Sequence, residues 1–160
     1  MIELILWRHA DAEEGWPDVK RQLTELGREQ ARQTASWLKA RIPGKFWLLS
    51  SPAERARQTA SALTDDIRID ERLIPGAGLG DYSMAAEWPD GPQGCPGVLI
   101  LVGHQPILGA LASQLLTGQD YGWVVEKSGI WWFSAREPQA RGDTVLKAVM
   151  TPAMIKVCAG

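Results

Sequence analysis

Two histidines occur in this chain of 160 residues, and each follows directly on an apolar run of strand length. His9 ends the run Ile2-Glu3-Leu4-Ile5-Leu6-Trp7-Arg8, and His104 ends Val98-Leu99-Ile100-Leu101-Val102-Gly103. A neutral imidazole can act as nucleophile or hydrogen-bond donor, and an adjacent arginine offers planar paired donors to an oxyanion. Arg8 precedes His9, and Arg55 lies in the first turn of a helix predicted to open at Ser51-Pro52-Ala53-Glu54. A cation in that turn opposes the positive end of the helix dipole, so an anion is expected to compensate it. Phosphate suits the position, because the free N–H groups of a helix N-terminus already favour it. Arg57, in the next turn, is expected to face solvent.

These side chains need elements that bring them together. Continuous apolar runs read as strands covered on both faces, the mark of a mostly parallel sheet with helices packed on it. Ligands in such sheets bind beyond the carboxyl ends of the strands, so parallel neighbours would set His9 and His104 facing across one crevice. Between them, Thr24 is a predicted N-cap, with Ala31, Ala35, Leu38 and Ile42 at helical spacing over residues 25–41. Phe46-Trp47-Leu48-Leu49 reads as a short strand. In the helix that follows, Ser51 is expected to cap, Pro52 to take the first helical position and Glu54 to close a capping box. Ala56, Thr59, Ala60 and Leu63 mark its buried stripe. Ile67-Arg68-Ile69 is a further short strand, and residues 70–97, rich in Gly and Pro, leave room for one short helix near Met84-Ala85-Ala86-Glu87. After His104 a helix shows Leu108, Leu111, Ala112 and Leu115 on one face. Ile130–Arg136 and Thr144–Met150 read as an antiparallel pair joined by a polar turn at one sheet edge.

The length fits one domain over residues 1–160, large enough to bury a core without disulfides or metals. A net charge of −2 offers no general attraction for nucleic acid or an anionic membrane, so any phosphate site must be local. Cys95 and Cys158 stand far apart and show no metal-ligand spacing, which implies neither zinc nor an oxidising compartment. Met1-Ile2-Glu3 leads straight into a strand with no basic n-region, and no apolar stretch approaches membrane-span length. A cytoplasmic protein is expected. The eight tryptophans are many for this length, and Trp131 and Trp132 must point to opposite faces of a strand.

Arg8-His9 after the first strand, Ser51-Pro52-Ala53-Glu54-Arg55-Ala56 at a helix start and Gly103-His104 after a later strand together resemble the histidine phosphatase superfamily. The resemblance covers most of the chain and implies a phosphoglycerate-mutase-like fold: a three-layer α/β/α sandwich around a mostly parallel mixed sheet. Shortness, Arg21-Gln22-Leu23-Thr24 before the first helix and the closing Thr151-Pro152 resemble the SixA-like phosphohistidine phosphatases. The implied roles are His9 as nucleophile, forming a phosphohistidine that water hydrolyses, and Arg8, Arg21, Arg55 and His104 as phosphate ligands. No cofactor or metal is implied, since arginines can carry the transition-state charge. Ala10 departs from the glycine usual at that position, which requires a backbone there compatible with a Cβ. The proton donor of larger members has no assigned counterpart; Glu71 and Asp81 are candidates by position.

The implied function is a phosphohistidine phosphatase acting on a phosphohistidine-bearing protein domain. An imidazole leaves phosphorus more readily than an alkoxide, so a weak proton donor suits that substrate. Two alternatives stay open: a small-molecule phosphomonoester phosphatase of the same superfamily, and a catalytically weak phospho-dependent binding module. Only residues 12–23 and 70–97 remain to wall the pocket, and neither has the periodic apolar residues of a substantial lid.

Overall fold

Six strands form one sheet in the order β3-β2-β4-β1-β5-β6: β1 (Glu3–Arg8), β2 (Trp47–Ser50), β3 (Arg68–Ile69), β4 (Val98–Gly103), β5 (Ile130–Ala135) and β6 (Thr144–Met150). They are taken from a computed structural model that describes residues 1–136 and 144–159. The first four strands run parallel, β5 pairs antiparallel with β1, and β6 antiparallel with β5. This is the mixed, mostly parallel sheet expected, closed at one edge by the predicted pair. The turn between β5 and β6, and the side chain of Cys158, lie outside the described residues.

The uninterrupted apolar runs are explained by cover on both faces. Leu4, Leu6, Leu99 and Leu101 point into one cluster with Tyr82, Ala85, Leu108 and Leu111, which belong to α3 (Leu79–Ala86) and α4 (Ile107–Thr117). Ile5, Trp7, Ile100 and Val102 point the other way, against Ala35 and Leu38 of α1 (Glu25–Lys39) and Ala56 and Ala60 of α2 (Glu54–Ser61). Leu4, Ile5, Leu6 and Trp7 are fully buried, each contributing roughly 1.5–3 kcal/mol relative to exposure. Trp131 and Trp132 divide as predicted, one to each face.

Thr24 caps α1, its Oγ1 accepting from Gly27 N at 2.9 Å. Helix α2 departs from expectation: it begins at Glu54 with Ala53 as its cap residue, and Glu54 pairs with Arg57 at 2.9 Å instead of closing a capping box. Ser51 lies two residues before the cap position and has another use at the site. Segment 70–97 is also more ordered than its composition suggests. It holds a turn of 3-10 helix at Glu71–Leu73 and then α3, whose buried Tyr82, Ala85 and Ala86 bring it onto the sheet. A last helix, α5 (Pro152–Ala159), was not expected; Pro152 takes its first position, where a missing N–H costs nothing. No helix among the described residues is long and apolar enough to cross a membrane.

Candidate active site

Parallel pairing of β1 with β4 sets Arg8 opposite Gly103, so the residues that follow, His9 and His104, leave the sheet at the same edge. His9 N donates to Gly103 O at 3.1 Å, and Ser51 N, just past β2, donates to Val102 O at 3.0 Å. The two imidazole centroids stand 5.1 Å apart with planes inclined by 51°. Both rings are buried, His9 being 9% and His104 5% exposed.

Their tautomers follow from their neighbours. Nδ1 of His9 lies 2.7 Å from Ala10 O; a carbonyl only accepts, so Nδ1 carries the proton and Nε2 keeps its lone pair. Nε2 of His104 lies 2.8 Å from Ser51 Oγ, which already accepts from Ala53 N at 3.1 Å. The buried Ser51 hydroxyl has no other acceptor for its proton among the described residues, so that proton is assigned to Nε2, and His104 holds its own proton on Nδ1. Behind the ring, His104 N donates to Tyr82 Oη at 3.0 Å, and Tyr82 donates to Leu73 O at 3.2 Å. A Cβ on Gly103 would run into the Tyr82 ring, so glycine is required for that close approach.

Three arginines converge near the histidines. Arg8 Nη1 donates to Val125 O at 3.0 Å. Arg55, only 4% exposed, donates from Nη1 to Asp18 O at 2.8 Å and from Nη2 to Asp18 Oδ2 at 3.0 Å. Arg21 donates to the other Asp18 oxygen at 3.0 Å and from Nε to Glu13 O at 2.7 Å. The cation in the first turn of α2 thus has an internal counter-ion, Asp18, which the sequence reading did not pick out. Partial burial works against ionisation of the Asp18 carboxyl, but the hydrogen bonds from Arg21 and Arg55 outweigh it and hold its pKa below the usual carboxylate value. Asp18 stays charged.

Among the described residues, the buried side-chain nitrogens and oxygens without a hydrogen-bond partner in the chain are Arg8 Nε, Arg55 Nε and His104 Nδ1. Buried donors are nearly always paired in folded proteins, and all three belong to the residues singled out for phosphate chemistry. Each is a donor, so together they suit an anion rather than a cation. Among the described residues no three His, Cys, Asp or Glu side chains converge to hold a metal.

Burial lowers the His9 pKa to about 4; the Ala10 hydrogen bond opposes it, and the positive field of Arg55, Arg8 and Arg21 adds to the lowering. Burial, then His9 and Arg55, lowers that of His104 to about 3. Both rings are neutral at pH 7. An unfolded histidine protonates near 6.5, so as pH falls the unfolded chain takes up protons before the folded one. Stability is therefore expected to be full above about pH 6.5 and to decline toward pH 4, each histidine adding a slope of up to about 1.4 kcal/mol per pH unit. Urea titrations at pH 7 and pH 5 in phosphate-free buffer check this. A double variant, His9→Ala with His104→Ala, should lose distinctly less stability over that interval, and an equal loss would mean the rings are not held neutral.

Of the remaining sequence candidates, Asp81 accepts from Gly78 N at 2.9 Å at the start of α3, and Glu71 is exposed in the 3-10 turn. Neither is hydrogen-bonded to His9, His104, Arg8 or Arg55 among the described residues. Ala10 is fully buried, and its backbone lies outside the left-handed region, so a Cβ is accommodated. Its N–H donates to Thr59 Oγ1 at 3.0 Å, tying the loop after β1 to α2. Sequence reasoning missed Ser51 as a partner of His104, Tyr82 behind it and Asp18. For Tyr82 a signal exists, because Leu79, Tyr82 and Ala86 share one helical face.

A sequence profile for the Histidine phosphatase superfamily (branch 1) matches residues 4–83. An uncharacterized protein of Picosynechococcus sp. is 31% identical over 94% of this chain and 97% of its own length. Phosphohistidine phosphatase SixA of Escherichia coli K12 is 28% identical over 74% of this chain and 76% of its own. A solved structure of the protein histidine phosphatase SixA complexed with tungstate superposes with a TM-score of 0.77 at 23% identity, covering 95% of this chain and 98% of that one. At that identity the likeness speaks for the fold.

Proposed function

We propose, from the premise that this chain belongs to the histidine phosphatase superfamily and is a phosphatase, that its substrate is phosphohistidine on a protein. The observation that carries the reading is the set of three unpartnered buried donors, Arg8 Nε, Arg55 Nε and His104 Nδ1, beside an imidazole with a free Nε2 lone pair. Arginine forks and a neutral N–H can follow the charge on three phosphoryl oxygens as it develops, without reorganising. The tungstate held by a SixA of the same fold is an oxyanion too.

In the first step His9 Nε2 attacks phosphorus in line while the substrate's P–N bond breaks. The bonding pair goes to the substrate imidazole, whose other nitrogen has already taken a proton from solvent, so it leaves as a neutral imidazole. In the second step water attacks phosphorus on His9, its proton goes to solvent and inorganic phosphate is released, returning the lone pair to Nε2. No side chain is assigned as proton donor. Among the described residues the one carboxylate hydrogen-bonded to the site arginines, Asp18, has both oxygens engaged and stays ionised. That favours a leaving group able to depart as an imidazole over an alkoxide. Phosphate release from a phosphohistidine protein and from a panel of small phosphate esters, on one preparation at one pH, tests the reading. At least about a tenfold advantage in kcat/KM is expected for the phosphoprotein, a difference of about 1.4 kcal/mol. Equal or better efficiency with an ester would assign the site to small molecules, and saturable binding without hydrolysis would make it a binding module.

A further inference from the structure

Trp16, at 91%, is the most exposed large apolar side chain among the described residues. A single exposed apolar residue is ordinary on a protein surface, but this one stands two residues from Asp18, whose carboxylate and carbonyl hold Arg55. Val19, on the other side of Asp18, is 39% exposed, and Val124 is 66% exposed immediately before Val125, whose carbonyl holds Arg8. Apolar side chains in water thus occur on both segments that fix the phosphate-binding arginines. The Trp16 segment is also tied down. Glu13 N donates to Gln22 O at 2.7 Å, Arg21 reaches back to Glu13 O, and both arginines hold Asp18. An open cleft of about 340 Å³ lined in part by Trp16, Pro17, Arg21 and Leu23 shares Arg21 with the site.

We propose that Trp16, with Val19 and Val124, is the docking edge for the protein domain that carries the phosphohistidine, and that this domain presents apolar surface around its phosphorylated residue. The inference rests on the phosphohistidine-protein reading and adds where the partner is gripped. Continuity with the site decides the occupant. A histidine side chain is short, so delivering its phosphoryl group to Arg8 and Arg55 brings the rest of its domain over the segments that hold them. A free phosphate compound carries nothing that would reach Trp16. The backbone that carries this indole is already ordered, so covering the ring costs only the freedom of its two side-chain torsions, and tryptophans contribute strongly to many interfaces.

The test compares wild type, Trp16→Ala and Val124→Ser on folded histidine-bearing domains phosphorylated with phosphoramidate, and on free phosphohistidine. Trp16→Ala is expected to lower kcat/KM for the preferred domain by about tenfold or more, mainly through KM, with free phosphohistidine unchanged. Val124→Ser should act in the same direction more weakly. A wild-type preference for a domain that both variants keep would overturn the docking inference while leaving the substrate reading standing. If wild type hydrolyses free phosphohistidine as efficiently as every domain, the substrate reading falls and the inference with it. Sedimentation completes the test: a wild-type dimer that Trp16→Ala dissociates would assign the edge to a second copy of this chain and overturn the proposal.

Discussion

His9→Ala is expected to abolish turnover, with a loss of at least about 10⁴-fold in kcat, because it removes the atom proposed to bond to phosphorus. No other histidine can take over. His104, 5.1 Å away between ring centroids, has its Nε2 engaged by Ser51 and its proton on Nδ1, so it presents no lone pair to the pocket. The fold should survive. The strand pairing at residue 9 runs through its backbone N–H to Gly103 O, and the side chain gives up only the bond to the neighbouring Ala10 O. Labelled phosphoenzyme trapped under alkaline conditions, which spare a P–N bond, should be seen with wild type and be absent from the variant. Turnover within tenfold of wild type, or a phosphoenzyme formed without His9, would sink the assignment.

Arg55→Ala should lower kcat/KM by roughly 10²–10³-fold, the usual cost of removing one preorganised transition-state donor. The structure also changes the stability expected of this variant. Removing a cation from the first turn of a helix would relieve about 0.3–1 kcal/mol of unfavourable dipole interaction. Here the same guanidinium is almost fully buried and bonded to both the carbonyl and Oδ2 of Asp18, so its removal leaves those two oxygens without their partner and the net effect is a loss. Arg55→Lys keeps the charge but cannot hold Asp18 with two nitrogens and still offer a third. Lysine should therefore restore only a small part of the rate. Steady-state kinetics with thermal melts decides the matter, and full activity in Arg55→Lys would show that charge alone suffices.

The legible part of this chain was the part encoded by adjacency. Arg8, His9 and His104 stand next to apolar runs that can only be buried strands, and Arg55 stands next to a helix start, so their convergence at one sheet edge followed from the topology. Asp18 was illegible for the opposite reason. It sits in an aperiodic loop, and its role as counter-ion to Arg55 depends on a contact 37 residues away. Ser51 carried a misleading signal, since Ser-Pro-x-Glu reads as a helix cap, whereas its hydroxyl instead sets the tautomer of His104. Helix α3 was legible only at its end, as the short helix expected near Met84-Ala85-Ala86-Glu87, because its first turn lies in a Gly- and Pro-rich segment. Helix α5 followed a strand too closely for its short pattern to stand out.

The place of β4 between β1 and β2 has a consequence for how the protein comes into being. The register that sets Arg8 opposite Gly103 joins segments from the two halves of the chain, so the active centre has high contact order and no local precursor. A nascent chain stopped before β4 can form α1 and α2 but lacks His104, its Ser51 hydroxyl has no imidazole to orient, and β1 and β2 have no strand between them. Activity regained during refolding is then a clock for the closing of that one long-range parallel pair, and it should lag the appearance of helix.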